Sequence, residues 1–417
     1  MMSKWLLLLF FTMFIIGTDS FLIAPLLPTL QAEFDVATDI SGWMVGAYAL
    51  GYAVFAVIAG PLSDGWDRKK VLVYGMLGFA VTTALCGLAT GFWSMFAFRF
   101  LAGVSAAFCG PQVWAIAGQL SQPKHVVRSM GVVTAGLGVS QVLGVPIGSA
   151  LAAISWPVPF FVIGGAALFL AVLQVVSLPG MPPTALTGGA RDESVRTARR
   201  SALRITMGYY RTVLRDSRSR WAFSGYFAFQ LGNYAGMAFM GTWLTERFGF
   251  GVTEVGYAVL FAGIGNLIGS MSSSEMVKCF GSGRLLITVL VMMAFLYGGI
   301  AFSPQAWIAE AAYGLIFMLA GLMIPLMIGR LTGLHEGMRG TLSSLTSAVM
   351  YASATVGSWI AGVLYVRLDG YAAVGAFVAL SYITAMGIFV VSGVMAGGAS
   401  SNVLSRKVSK ASLKEFR

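Results

Sequence analysis

Two ionisable residues stand inside apolar runs of this chain: Asp19, in the stretch from Lys4 to Leu30, and Arg99, in the stretch from 93 to 117. Charge inside a hydrocarbon-spanning helix is costly, so such residues are functional candidates by default. At 1.5 Å of rise per residue, Asp19 lies about 22 Å from the start of its run and Arg99 about 10 Å from the start of its own. If the two runs enter a ~30 Å hydrocarbon layer from opposite faces, both side chains reach nearly the same height. A carboxylate and a guanidinium there can form an ion pair. Protonating Asp19 breaks it, and re-forming it releases the proton. The competing reading is a static pair that ties two helices together.

A second cluster, Gly60-Pro61-Leu62-Ser63-Asp64-Gly65-Trp66-Asp67-Arg68-Lys69-Lys70, packs two carboxylates and three cations between long apolar segments. Hydrocarbon excludes such a cluster, so it belongs at a membrane face. Uncharged polar groups inside the apolar runs are the candidates for contacting a solute: Gln230, Asn233 and Tyr234, with Tyr48 and Gln141 behind them. Such amides also tie helices together. Other chemistry is missing. There is no Walker A lysine, no G-x-S-x-G and no H-E-x-x-H, and His125 and His335 form no metal or catalytic set. Cys86, Cys109 and Cys279 have no metal-like spacing and read as unpaired thiols. No enzyme activity, cofactor or metal is expected.

The elements that position these residues follow from hydropathy. Of 417 residues, 57% are hydrophobic and 10% charged, against about 25% charged in soluble proteins. Lipid must be the solvent. The N-terminal run imitates a signal peptide but is too long for one, and it reads as a retained first span. Twelve apolar segments are predicted as transmembrane helices: 6–30, 41–59, 71–91, 93–117, 129–153, 158–178, 221–244, 255–274, 285–303, 306–329, 341–366 and 371–394. A polar interruption from 179 to 220 divides them six and six. The expected organisation is an N-terminal bundle over 1–178, a basic linker over 179–220, a C-terminal bundle over 221–394 and a tail over 395–417.

Cations fix the orientation. With the N-terminus inside, the inner segments hold Lys4, Arg68, Lys69, Lys70, Lys124, Arg128, nine arginines from Arg191 to Arg220, Lys278, Arg284, Arg330, Arg339, and five cations from Arg406 to Arg417. These are 24 of the 27; Arg247 and Arg367 fall outside and Arg99 within a span. Both termini are therefore expected in the cytoplasm of a cell bounded by this membrane. The net charge of +11 is thereby explained by topology, and no nucleic-acid partner is expected. Within the linker Leu203, Met207, Tyr210 and Leu214 recur at helical spacing, which predicts a short helix lying on anionic lipid headgroups.

The halves echo each other at an offset of roughly 210 to 215 residues, as in repeat-built transporters. Gly144 and Gly148 correspond to Gly357 and Gly362, and the charged loop to Gly269 through Arg284, which lacks an aspartate. The charged loop, with its G-x-L-S-D start and Arg68-Lys69-Lys70 end, resembles the signature of the major facilitator superfamily. Arg99-x-x-x-Gly103 is similar to that family's span-four motif. Gly144-Val145-Pro146-Ile147-Gly148 resembles its exporter-associated "antiporter" motif, in a sugar- and drug-efflux variant. Gly17-Thr18-Asp19 through Pro28 resembles the 12-helix drug:proton antiporter branch. Gly65 and Asp67 depart from the loop pattern, which usually has a cation and a glycine there.

The resemblance implies an all-α fold of twelve helices in two pseudo-symmetric six-helix bundles. It implies that spans one, four, seven and ten line a central cavity. Gly60, Asp64 and Arg68 would latch the inner face, with the Asp64 carboxylate at the start of span eleven near Gly340. Gly144, Pro146 and Gly148 would pack span five closely and bend it. Asp19 would carry the proton, tuned by Arg99. The expected function is proton-coupled export of a small amphipathic or hydrophobic molecule by a monomer alternating its access. Efflux of a sugar or other endogenous metabolite is the alternative within transport, and a non-transporting membrane receptor or scaffold the alternative outside it.

Overall fold

The computed structural model describes residues 4–63, 66–122, 126–181, 208, 211–213, 215–332, 334, 339–368 and 370–392. Regular structure among these is helical throughout. The helices are α1 (Lys4–Phe34), α2 (Thr38–Ser63), α3 (Arg68–Cys86), α4 (Phe92–Leu120), α5 (Val126–Val139), α6 (Val145–Ile154), α7 (Val158–Ser177), α8 (Ser217–Ala238), α9 (Met240–Phe248), α10 (Val252–Phe280), α11 (Ser282–Ile300), α12 (Ala306–Thr332), α13 (Arg339–Arg367) and α14 (Gly370–Ser392). A helix satisfies its own backbone, which is what lets such apolar segments live in lipid.

Two predicted spans are each built from two helices. Span five is α5 and α6 joined by a π-helical turn, Ser140–Gly144. Pro146 has no N–H to give to the preceding turn, and the Val145 N–H reaches Ser140 O instead. Span seven is α8 and α9, broken at Phe239, where Gly241 presses against the Ala24 carbonyl of span one. Counted this way the described residues form twelve spans. Eleven of the described helical segments are long and apolar enough to cross a membrane on composition alone. Span seven falls short because Gln230 and Asn233 dilute it and the break at Phe239 shortens it.

Short connections make sequential spans antiparallel. The first bundle packs α2 on α4, α3 on α4 and α7, and α1 on α5; the second packs α10 on α12, α8 on α13 and α14, and α11 on α14. The repeat is visible in the contacts. A Cβ on Gly51 of span two would lie 2.2 Å from the Phe100 carbonyl of span four, and one on Gly265 of span eight 2.1 Å from the Gly314 carbonyl of span ten. Gly265 follows Gly51 by 214 residues, and Gly314 follows Phe100 by 214.

The bundles meet along two seams, α2 against α13 and span five against α10. A Cβ at Gly42 would strike the Ser358 carbonyl at 2.4 Å, and one at Gly362 the Asp39 carbonyl at 2.8 Å. Thr355 Oγ1 donates to the Gly46 carbonyl, 3.3 Å. On the other seam Gly256 presses on Ser149, and Gly263 on Gln141 and Val142. Among the described residues these contacts lie nearer the ends of α2 and α10 opposite Arg68, Lys69, Lys70, Lys278 and Arg284. Of the residues expected to form a surface helix in the linker, Leu203, Met207, Tyr210 and Leu214 lie outside the described residues, as does the tail from 393 onward.

Candidate functional site

Asp19 sits midway along α1 and Arg99 in the second turn of α4, and both are fully enclosed by protein. Arg99 Nη1 donates to Asp19 Oδ2 at 2.7 Å. The remaining polar atoms of the pair, Asp19 Oδ1 and Arg99 Nε and Nη2, have no protein partner. Over the guanidinium lies the ring of Tyr48, its centroid 4.8 Å from Arg99 Cζ, at cation–π distance. The Tyr48 hydroxyl is also buried without a protein partner. A buried pair with orphaned donors is held by geometry more than by surplus energy, because desolvation offsets much of its attraction.

The packing that sets this geometry is backbone to backbone. Gly103, one turn beyond Arg99, lies against the Tyr48 carbonyl, where a Cβ would come within 2.0 Å. That contact gives the Arg99-x-x-x-Gly103 spacing a physical meaning: the glycine lets span two approach until Tyr48 covers the arginine. On the other side of span one, Gly144 presses on Thr18, Gly148 on Leu22, and Gly17 on Ser140. Gly144 and Gly148 therefore seat span five against the turn that carries Asp19, while Pro146 faces Gly256 of span eight.

Beside the pair is a small cavity of about 30 Å³, lined by Ser20, Phe21, Val45, Tyr48, Tyr234 and Tyr351 among others. Its walls come from spans one, two, seven and eleven. The resemblance led us to expect spans four and ten in place of two and eleven. In the structure, span two covers Arg99 of span four, and span ten is stacked behind span eight through Gly265 and Gly269. Tyr351, from the second bundle, stacks on Tyr52 at 3.8 Å and lies 6.4 Å from the Tyr48 ring.

The polar candidates divide between cavity and scaffold. Tyr48 and Tyr234 line the cavity. Gln230 and Asn233 bond within the second bundle: Asn233 Nδ2 donates to Gln230 Oε1 (2.9 Å), Gln230 Nε2 to Tyr226 (3.2 Å), and the Tyr382 hydroxyl to Asn233 Oδ1 (2.7 Å). Gln141 accepts from Asn266 Nδ2 across the seam at 3.3 Å.

At the charged loop, Gly60 falls in the last turn of α2 and Arg68 opens α3. Asp64 and the start of span eleven around Gly340 lie outside what is described of side chains, so the expected latch contact does too. Asp67 has a definite place. It caps α3, accepting from the Lys69 N–H (2.9 Å), and also accepts from the Met181 N–H (3.2 Å) beyond span six. Lys69 Nζ donates to the Leu178 carbonyl at 2.6 Å, closing the C-terminus of α7. Sequence reasoning treated Asp67 as a mere variant because Met181 is far away along the chain. Asn266 was missed although a lone amide in an apolar span is a legible signal. Tyr351 carried no such signal.

The model of the Major Facilitator Superfamily matches residues 9–358. An uncharacterized MFS-type transporter, YceJ, of Bacillus subtilis (strain 168) is 43% identical over 382 residues, 92% of this chain and 94% of its own. The class B tetracycline resistance protein of Escherichia coli is 26% identical over 359 residues, covering 82% of this chain and 84% of its own. Among solved structures, a bacterial homologue of the human lysosomal transporter Spinster, in an inward-facing and occupied conformation, superposes with a TM-score of 0.71 at 15% identity, over 94% of this chain and 96% of that one.

Proposed function

The chain belongs to the Major Facilitator Superfamily, and on that footing we propose that it exports a small amphipathic or hydrophobic molecule in exchange for protons. The observation that carries the reading is the enclosed Asp19–Arg99 pair beside a cavity walled by tyrosines and apolar side chains. Ion pairs sunk in a membrane bundle mark proton relays and coupling sites. Asp19 takes the proton and Arg99 competes with it.

The cavity lining favours an apolar solute. Ser20 and three tyrosine hydroxyls are the side-chain hydrogen-bonding groups there, too few to replace the water around a polyhydroxylated sugar. Residues 1–178 and 221–394 act as the two rocking units, joined by the linker over 179–220, with 395–417 as a tail. With both termini in the cytoplasm, the described seam contacts lie towards the outer side of a cell-membrane protein, and parting them opens that side. Gly60, Asp64 and Arg68 act when the inner side closes. The transporter works as a monomer, since each chain holds both units.

The test is uptake into inverted vesicles carrying wild-type or Asp19→Asn protein, with ethidium, Hoechst 33342 and tetracycline as solutes. Wild type is expected to move at least one of them in response to an imposed pH gradient, and the variant to lose that response. Equal pH-driven movement by both proteins rejects the proton role of Asp19. No movement of any solute by wild type favours the receptor reading.

A further inference from the structure

The cavity is walled by Tyr48, whereas Asp19 and Arg99 are sealed behind it. A solute occupying the cavity therefore meets the ion pair through the tyrosine ring. We propose that Tyr48 is a two-position switch that makes solute and proton exclude one another, with no contact between the solute and Asp19. This inference rests on the exchange proposed above and supplies its coupling step.

Three observations carry it. First, the ring has one charged seat, the Arg99 guanidinium 4.8 Å from its centroid, and it also lines the cavity, which neither Asp19 nor Arg99 does. Second, the backbone beneath the ring cannot yield. Gly103 and Gly51 hold spans two and four carbonyl against glycine, so motion of Tyr48 is confined to its side chain. Third, its hydroxyl is buried without a protein partner on the seat. A buried hydroxyl left unpaired is costly, so the seated position is not held by that group.

In the seated state the ring lies on Arg99, Arg99 holds Asp19, and the cavity stands open. A planar solute packed against the ring from the cavity presses it onto the guanidinium and keeps the carboxylate ionised. A proton from solvent adds at Oδ1, the carboxylate oxygen without a partner, and no other bond forms or breaks apart from the ion pair. Arg99 then loses its anion and turns, the ring loses its seat, and it rotates into the cavity. Tyr351 of the second bundle closes the far side of that space, so the rocking of the bundles senses the ring as well.

The charged and titratable groups around the switch are few. Arg99 faces Asp19 from span four, Tyr48 from span two and Cys86 from span three. Tyr52, Cys109 and Tyr351 lie beyond the ring. Span five meets α1 through Gly136, Ser140, Gly144 and Gly148, span six through Gln174, and span seven through Gly241, none of which titrates.

The test needs no solute. Ala354 lines the cavity, and Ala354→Cys in a Cys279→Ser background, which removes the exposed native thiol, reports open space by its rate of reaction with N-ethylmaleimide at one fixed pH. Asp19→Asn, which removes the anion, is expected to slow labelling at least fivefold by releasing the ring into the cavity. Tyr48→Ala is expected to restore the rate when combined with Asp19→Asn and to change it little when Asp19 is kept. Tyr48→Phe keeps the ring and is expected to leave the Asp19→Asn protein slow. Equal labelling with and without Asp19→Asn overturns the proposal, and so does an equal effect of Tyr48→Ala in both backgrounds. Asp19→Ala serves the same cycle if Asp19→Asn is not recovered as monodisperse protein. Loss of pH-driven efflux in Asp19→Asn together with unchanged labelling would reject the switch and leave the exchange standing. Retained pH-driven efflux would reject the exchange itself.

Discussion

The carbonyl of Tyr48 rests on the α-carbon of Gly103, so close that any side chain at 103 would begin 2.0 Å from it. The obstacle is backbone in the middle of a helix, which has no rotamer to give way. Gly103→Val is therefore expected to part spans two and four and lift Tyr48 from Arg99. Overpacking of this kind costs about 1–3 kcal/mol. Thermal unfolding in detergent should show a lowered midpoint, and the recovered protein should lose pH-driven efflux. Wild-type behaviour in both assays would contradict the assigned contact.

Arg99→Ala leaves the Asp19 carboxylate enclosed without a partner. Breaking a buried pair on one side destabilises by about 3–5 kcal/mol. Asp19→Asn/Arg99→Ala is expected to be more stable than Arg99→Ala alone, because the stranded charge is gone. Arg99→Lys keeps the charge but loses the planar group beneath the Tyr48 ring, so folding is expected to survive better than transport. Unfolding temperatures of the four proteins decide the matter.

Asp67→Ala removes both an N-cap and the acceptor for the Met181 N–H. Loss of an N-cap costs about 1 kcal/mol. Protease cleavage in the linker is expected to accelerate, because the chain beyond span six is no longer tied to the charged loop. Asp67→Asn should retain most of the protection. Unaltered cleavage in Asp67→Ala would show that the tie carries no load.

Gly42 and Gly46 allow span two to lie against the backbone of span eleven. Gly42→Leu is expected to prop this seam open and shift the population towards the form with that end parted. Spin labels at exposed positions Asp35 and Arg367 would report a longer mean distance than in an otherwise native labelled protein. An unchanged distance distribution would show that the seam tolerates the bulk.

How much of this was legible depends on what each feature rests upon. The spans follow from hydropathy, and the contact between Asp19 and Arg99 follows from rise per residue and alternating direction. The repeat was legible in paired glycines, and the contacts place Gly51 and Gly265 in equivalent positions. Side-chain partnership was less legible. Gln230 and Asn233 look like solute contacts in a one-dimensional reading, but Tyr226 and Tyr382 occupy them, and Tyr382 is more than a hundred residues away. The two breaks differ in the same way. Pro146 announces the π turn in span five, while the interruption at Phe239 arises from span one pressing on Gly241, a contact no local pattern encodes.

Asn233 stands 214 residues after Asp19, so the second bundle carries a neutral amide at the matching place. At that place the first bundle has a charge to alter and the second has none. With the pair closed its core is electrically neutral; once the carboxyl is protonated, the guanidinium is left with an uncancelled positive charge. The voltage across the membrane then acts on one of the two states and ignores the other, with a leverage of up to about 2.3 kcal/mol per charge for each 100 mV. A cell's resting polarisation thus enters the working cycle through a single arginine.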